Sequence, residues 1–170
     1  MKKTLSLVLL ITALFNLCAI CAFADTQITS TNITFNADGS TTYVHDNGTT
    51  TVVSAIEDVT EVGIQTRATY NKAGSVTAVN TDNDTGAENW RYKLIGYFTY
   101  EEGVSCVCTN ATHEATITND WWWHFSGGGN SWSGNAAYGV GKFEYKVLFV
   151  TTETVNIDLR ICCDSYGNFY

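Results

Sequence analysis

Proline is absent from the 170-residue sequence, and methionine occurs once, as the first residue. With 14 glycines spread along the chain, this excludes collagen-like, proline-rich and other low-complexity builds. Basic residues are scarce: nine Lys and Arg stand against 17 Asp and Glu, for a formal net charge of −8. Such a chain lacks the positive field that nucleic acid or an anionic membrane surface attracts. Beyond residue 24 no window repeats apolar residues at helical spacing, so a helical bundle or coiled coil is excluded. No motif names a reaction or a cofactor, and none is expected.

The first 24 residues have the form of an export signal. Met1-Lys2-Lys3 is the short basic start, Leu5 to Ile20 the apolar stretch, and Ala22-Phe23-Ala24 a small-x-small cleavage site before Asp25. Asn16 interrupts the stretch and no basic stop-transfer cluster follows, so cleavage and secretion are expected, with no stable membrane insertion afterwards. Two lysines leave with the leader and the net charge becomes −10.

What remains changes composition near Trp90. Residues 25–89 hold three aromatics, fifteen threonines and no cysteine, whereas residues 90–170 hold seventeen aromatics and four cysteines. Aromatic side chains each bury a large apolar area, so residues 90–170 are expected to form the main domain. Residues 25–89 read as an acidic, Thr-rich β-meander, a stalk or a pro-segment.

Thr31 to Phe35, Thr41 to His45 and Thr49 to Ile56 are short β-branched runs separated by Asp38-Gly39 and Asn47-Gly48, the pairs that tight hairpin turns favour. A weaker pair is predicted around Ile64–Tyr70 and Ser75–Val79, with a linker or helical turn over Glu57–Glu61. Further strands are predicted over Tyr92–Tyr100, Val104–Thr109, Thr112–Thr118, Trp121–Ser126, Ala137–Val150 and Thr154–Cys163. In the last, Val155, Ile157, Leu159, Ile161 and Cys163 fall on one face. The predicted fold is all-β, a two-sheet antiparallel sandwich preceded by a short meander.

Cys106, Cys108, Cys162 and Cys163 are an even set in an oxidising compartment, where disulfides are the default and the C-x₂-C spacing of zinc sites is missing. Cys163 faces the predicted core, which makes Cys108–Cys163 the first choice of bridge, worth about 4 kcal/mol by loop entropy. Cys106–Cys162 is a second pair that needs a bulge; otherwise those two stay reduced or pair between molecules. The order Cys108, Trp122 or Trp123, Cys163 resembles immunoglobulin-like domains in outline. Ile161 stands where such domains place a tyrosine, however, and only seven residues follow Cys163.

Leu94-x-Gly96-x-Phe98-x-Tyr100, Cys108-x₄-His113, a mid-domain Trp and Cys163-Asp164-x-x-Gly167-Asn168 carry a second likeness. Over about residues 90–170 the chain resembles a group of small secreted proteins of Gram-positive bacteria whose role is unassigned. The resemblance implies a secreted β-domain and a Cys108–Cys163 bridge, and it implies no activity. Cys106 and Cys162 depart from its pattern.

Trp121-Trp122-Trp123-His124-Phe125 is the most unusual local feature. One face of such a strand packs in the core, which leaves at least one indole near the surface. Trp121, Trp122, Trp132 and Tyr138 are therefore the candidate ligand platform, able to stack on sugar rings. Core packing is the simpler use of the same indoles. Ser126-Gly127-Gly128-Gly129-Asn130 lacks the lysine and helix of a phosphate loop and reads as a mobile hairpin loop. Asn80-x-Asp82-x-Asp84-x-Gly86-x-Glu88 resembles a calcium loop but misplaces its glycine, and reads as a solvated turn. His45, His113 and His124 have no evident nucleophile beside them, and Glu101-Glu102 reads as solvated charge. The four glycosylation sequons, at Asn32, Asn47, Asn83 and Asn110, are expected by chance in so Asn- and Thr-rich a chain.

The leading expectation is a secreted, non-enzymatic binding or surface module whose partner is a glycan or cell-surface component. An alternative is an antimicrobial or toxin-like protein released from a 25–66 pro-segment by cleavage near Arg67. A hydrolase assembled from distant residues comes third.

Overall fold

The computed structural model describes residues 32–59 and 69–170. The leader, Thr31, the Arg67 cleavage point and most of the predicted 64–70 strand lie outside the described residues. Ten strands, and no helix among the described residues, build two antiparallel sheets packed face to face. The predicted sandwich is the observed fold.

The large sheet begins with the meander. Strands β1 (Asn32–Phe35), β2 (Thr41–Val44) and β3 (Thr49–Val53) pair in sequence order. Gly39 and Gly48 turn them at φ 82° and 79°, conformations open to glycine because it has no Cβ. The Asp38 and Asn47 side chains complete the turns by accepting from the backbone N–H groups of Ser40 and Thr49 at 2.9 and 3.0 Å. Next come β4 (Glu57–Val59), β5 (Thr69–Asp82), β6 (Glu88–Glu101) and β7 (Ser105–Ile117). Both β3 and β4 lie along the same edge of β5. The small sheet is β8 (Trp123–Ser133), β9 (Ala136–Val147) and β10 (Val150–Cys162), in the order β10-β9-β8. Each sheet follows chain order apart from β4, so the likeness to immunoglobulin domains stops at the packing of two sheets, without their Greek-key crossings.

The compositional change at Trp90 coincides with no change of sheet. Thr-rich β5 pairs with aromatic-rich β6 from Thr69↔Glu101 to Thr81↔Glu88. The core between the sheets takes Trp90, Tyr92, Leu94 and Phe98 from β6, Phe143 from β9, and Val155, Ile157, Leu159 and Ile161 from β10. Trp90 stacks on Phe143 with centroids 4.0 Å apart, and Trp123 meets Trp90 edge-on at 6.0 Å. Burying each such side chain stabilises the fold by roughly 1.5–3 kcal/mol.

Several local expectations are corrected. Glu57–Val59 is a strand, because its backbone completes the edge of β5 against Ala73–Ser75. The predicted strands at 104–109 and 112–118 are one strand, β7, carried past a register shift opposite Tyr97 and Phe98. Ser126–Asn130 is no hairpin loop: it runs inside β8, paired with β9 from Gly127↔Lys142 to Asn130↔Gly139. Glycine is needed there, since a Cβ on Gly128 would stand 2.5 Å from the Val140 carbonyl oxygen. The strand predicted to reach Val150 stops at Val147 and reverses through Leu148 and Phe149. Both residues take the left-handed conformation, at φ 49° and 69°, which costs an L-residue roughly 1–2 kcal/mol each.

Candidate functional site

The expected indole platform does not assemble. Trp123 is buried and belongs to the core. Trp121 and Trp122, 85% and 42% exposed, precede β8 at one end of the small sheet. Trp132 stands nine residues beyond Trp123 along β8, roughly 30 Å from that end at the rise of an extended strand. Trp132 pairs with Ala137 and shares its core-facing side, whereas Tyr138 pairs with Ser131 on the outer side. There the Arg160 guanidinium lies 5.5 Å over the Tyr138 ring. One end and two opposite faces therefore divide the four residues.

The cysteines are also arranged otherwise than expected. None of the four forms a disulfide, and no Cys108–Cys163 bridge is present. Cys163 does face the core, its thiol donating to the Asp164 carbonyl at 3.5 Å, but the thiol beside it is that of Cys106, two residues before the expected partner. The reason lies in the β8–β9 turn. The backbone N–H of Cys108 donates to the Gly134 carbonyl at 2.8 Å, and that of Cys163 donates to the next carbonyl, Asn135, at 3.0 Å. Cys163 is thereby set toward the start of β7. Burial pushes the Cys106, Cys108 and Cys163 thiols up from the ordinary range, so none is poised as a thiolate. Cys162 pairs with Ala136, on the opposite side of the sheet from Cys163.

The imidazoles have structural partners. His45 is buried, with Nε2 2.8 Å from the Thr51 hydroxyl. His113 stacks on Tyr92 at 5.6 Å, and its Nδ1 lies 2.6 Å from the Asn130 side-chain oxygen. His124 pairs with Glu144 on the outer side of the small sheet. In the 80–88 turn, Asp82 Oδ1 accepts from the Asp84 and Thr85 N–H groups and the Thr85 hydroxyl, and these bonds hold its carboxyl below the usual carboxylate range. The turn's chemistry is spent on itself. No cluster suited to a metal ion occurs among the described residues.

What sequence reasoning missed is a cavity of about 380 Å³ between the meander and the C-terminal segment. Phe35, Tyr43, Phe169 and Tyr170 line it with rings, and Asn36, Ser40, Ser54 and Arg160 add polar groups. After β10 the chain doubles back: Cys162 and Tyr170 exchange backbone hydrogen bonds at 2.9 and 3.0 Å. Phe169 then lies over Gly74, where a Cβ would stand 2.9 Å from its ring, and under Lys72, whose Nζ is 4.8 Å from the ring centroid. Lys72 also donates to the Gly167 carbonyl at 2.8 Å and pairs with Asp58 at 2.9 Å. Asn36 Nδ2 donates to the Ser40 and Thr42 hydroxyls, both at 2.9 Å, fixing the polar lip. The lining comes from residues 35–76 and 160–170, and no local pattern announces a contact between them.

Fold and cavity together define a secondary-structure class and a concave site: a two-sheet β-sandwich with a mixed aromatic and polar pocket at one edge. Comparison with known protein families, curated proteins and solved structures finds no match.

Proposed function

We propose that the chain is a secreted, non-enzymatic binding module that takes a glycan of cell walls or plant polymers into the cavity at the meander edge. The observation that carries this reading is the lining itself. Rings offer flat faces for the apolar side of a sugar, and Asn36, Ser40, Ser54 and Arg160 offer the few polar contacts that orient it. Binding then moves from the indoles to Tyr43, Phe169 and Tyr170. Export to an oxidising medium accords with closure of Cys106 on Cys163, which lie near each other.

Calorimetric titration with cell-wall and plant oligosaccharides tests this. Saturable binding is expected, weakened at least tenfold by Phe35→Ala or Tyr170→Ala and unchanged by Trp132→Ala. No binding to any glycan, or binding indifferent to both cavity variants, overturns the assignment.

A further inference from the structure

The end of the small sheet away from Trp132 carries an apolar tip. Phe149 is fully exposed and Leu148 85% exposed, and Val147 and Val150 beside them are exposed as well. The Lys146 N–H donates to the Trp122 carbonyl at 2.8 Å, and the Trp122 ring lies 6.0 Å from Tyr145. This seats the exposed Trp121–Trp122 segment beside the same hairpin, two residues short of its turn. Six large apolar side chains thus gather where a soluble surface would be polar.

The backbone makes the arrangement more telling. A two-residue hairpin turn with positive φ at both positions is the type for which Asn-Gly is the best-suited pair. The sequence instead holds Leu148 and Phe149 in that conformation, at φ 49° and 69°. Local turn chemistry opposes both residues, and neither packs on the core, so their use lies in what they present outward.

We propose that this tip docks reversibly on a zwitterionic lipid surface, with Leu148 and Phe149 entering the acyl boundary and Trp121 and Trp122 at headgroup depth. Leu148 and Phe149 stand clear of the rest of the fold, which suits a deformable interface that can close around them. Indoles favour the headgroup layer because one part of the ring is apolar and the N–H polar. The rim bears both signs: Lys146 pairs with Glu144 at 3.2 Å, and Asp120 precedes Trp121. A mixed-sign rim around an apolar centre matches headgroups that carry both charges. The net charge of −8 disfavours anionic lipid. Docking of this kind uses a few side chains and no spanning segment, and among the described residues no helix is long and apolar enough to cross a membrane.

The test is binding of the purified protein to phosphatidylcholine vesicles, read by co-sedimentation and by quenching of tryptophan emission with brominated acyl chains. The informative variant is Leu148→Asn with Phe149→Gly, which supplies the pair the turn prefers. It is expected to unfold at the same or a higher temperature while binding vesicles at least tenfold more weakly. Loss of binding with a preserved fold then belongs to the tip. Weaker binding to phosphatidylserine-containing vesicles is also expected. The proposal is overturned if the wild-type protein ignores vesicles at millimolar lipid, if the variant binds equally well, or if anionic vesicles are preferred. A tip-dependent dimer in sedimentation without vesicle binding overturns it too, since a second copy would then be the occupant. The outcome is independent of the glycan titration, because the cavity shares no residue with the tip.

Discussion

Tyr92 shows how a single polar atom is accommodated between the two sheets. Its ring is fully buried and lies against β9, where a Cβ on Gly141 would stand 3.0 Å from it. Its hydroxyl reaches the Val140 and Gly129 carbonyls at 2.8 and 3.0 Å, so it ties β6 to both β8 and β9. Burial, assisted by the charge of Asp158, raises this phenol to about 12. The folded value lies above the unfolded one of about 10. The associated stabilisation is therefore complete below about pH 10 and is lost as pH rises through 12. Tyr92→Phe is expected to cost about 1 kcal/mol at neutral pH and to flatten the decline in stability between pH 10 and 12. Urea unfolding of both proteins at pH 8 and pH 11 checks this. The raised thiols titrate with the same sign in both proteins and cancel in the difference. Equal alkaline slopes would remove Tyr92 as their source.

Elements whose face is set by alternation were legible in the sequence. In β10, Val155, Ile157, Leu159 and Ile161 are buried as their spacing requires, and the Asp38-Gly39 and Asn47-Gly48 turns stand where those pairs occur. Elements set by a distant neighbour were not. The glycine run of β8 read as a loop because what needs Gly128, the close approach of β9, is absent from local sequence. Leu148 and Phe149 read as strand because their composition contradicts their turn. The cavity was invisible for the same reason, being shared between the two ends of the described chain. The cysteines sit between these cases. Alternation placed Cys163 toward the core correctly, but its neighbour depends on the β8–β9 turn, which holds Cys163 against Cys106. On exchange with a disulfide in the medium, two thiols become one bridge and the donor is reduced to its thiols. Cys106–Cys163 is the expected product, and peptide mass mapping without reduction identifies it. A Cys108–Cys163 peptide would show that the C-terminal segment shifts along β7 before closing.

At the scale of the whole molecule, the question is whether the acidic leading segment is a removable pro-segment or part of the fold. The contacts across it favour the second. Buried Asn80 on β5 donates to the Thr49 and Thr51 hydroxyls, both at 3.1 Å. Its own side-chain oxygen accepts from Asn89, whose oxygen in turn accepts from Asn119 at 3.1 Å. His45 reaches the same Thr51 hydroxyl. One polar network thus runs from the meander through β5 and β6 to the segment before β8, and a buried polar group stripped of its partner costs about 1–3 kcal/mol. Cleavage near Arg67 would remove Thr49, Thr51 and His45 from this network, and Tyr43 and Val53 from the core. It would also unpair the edge of β5 over Ala73–Ser75 and Ala78–Asp82, leaving a template for strand addition. A chain beginning at residue 68 is therefore expected to aggregate or to unfold at a clearly lower temperature than the protein that retains the meander, and to lose the cavity with it. N-terminal sequencing of the secreted product, with thermal unfolding of both forms, decides the matter. A mature product that starts near residue 68 and stays monomeric and folded would raise the toxin-like alternative above the binding-module reading. A start at Asp25 would leave the meander as one wall of the binding site.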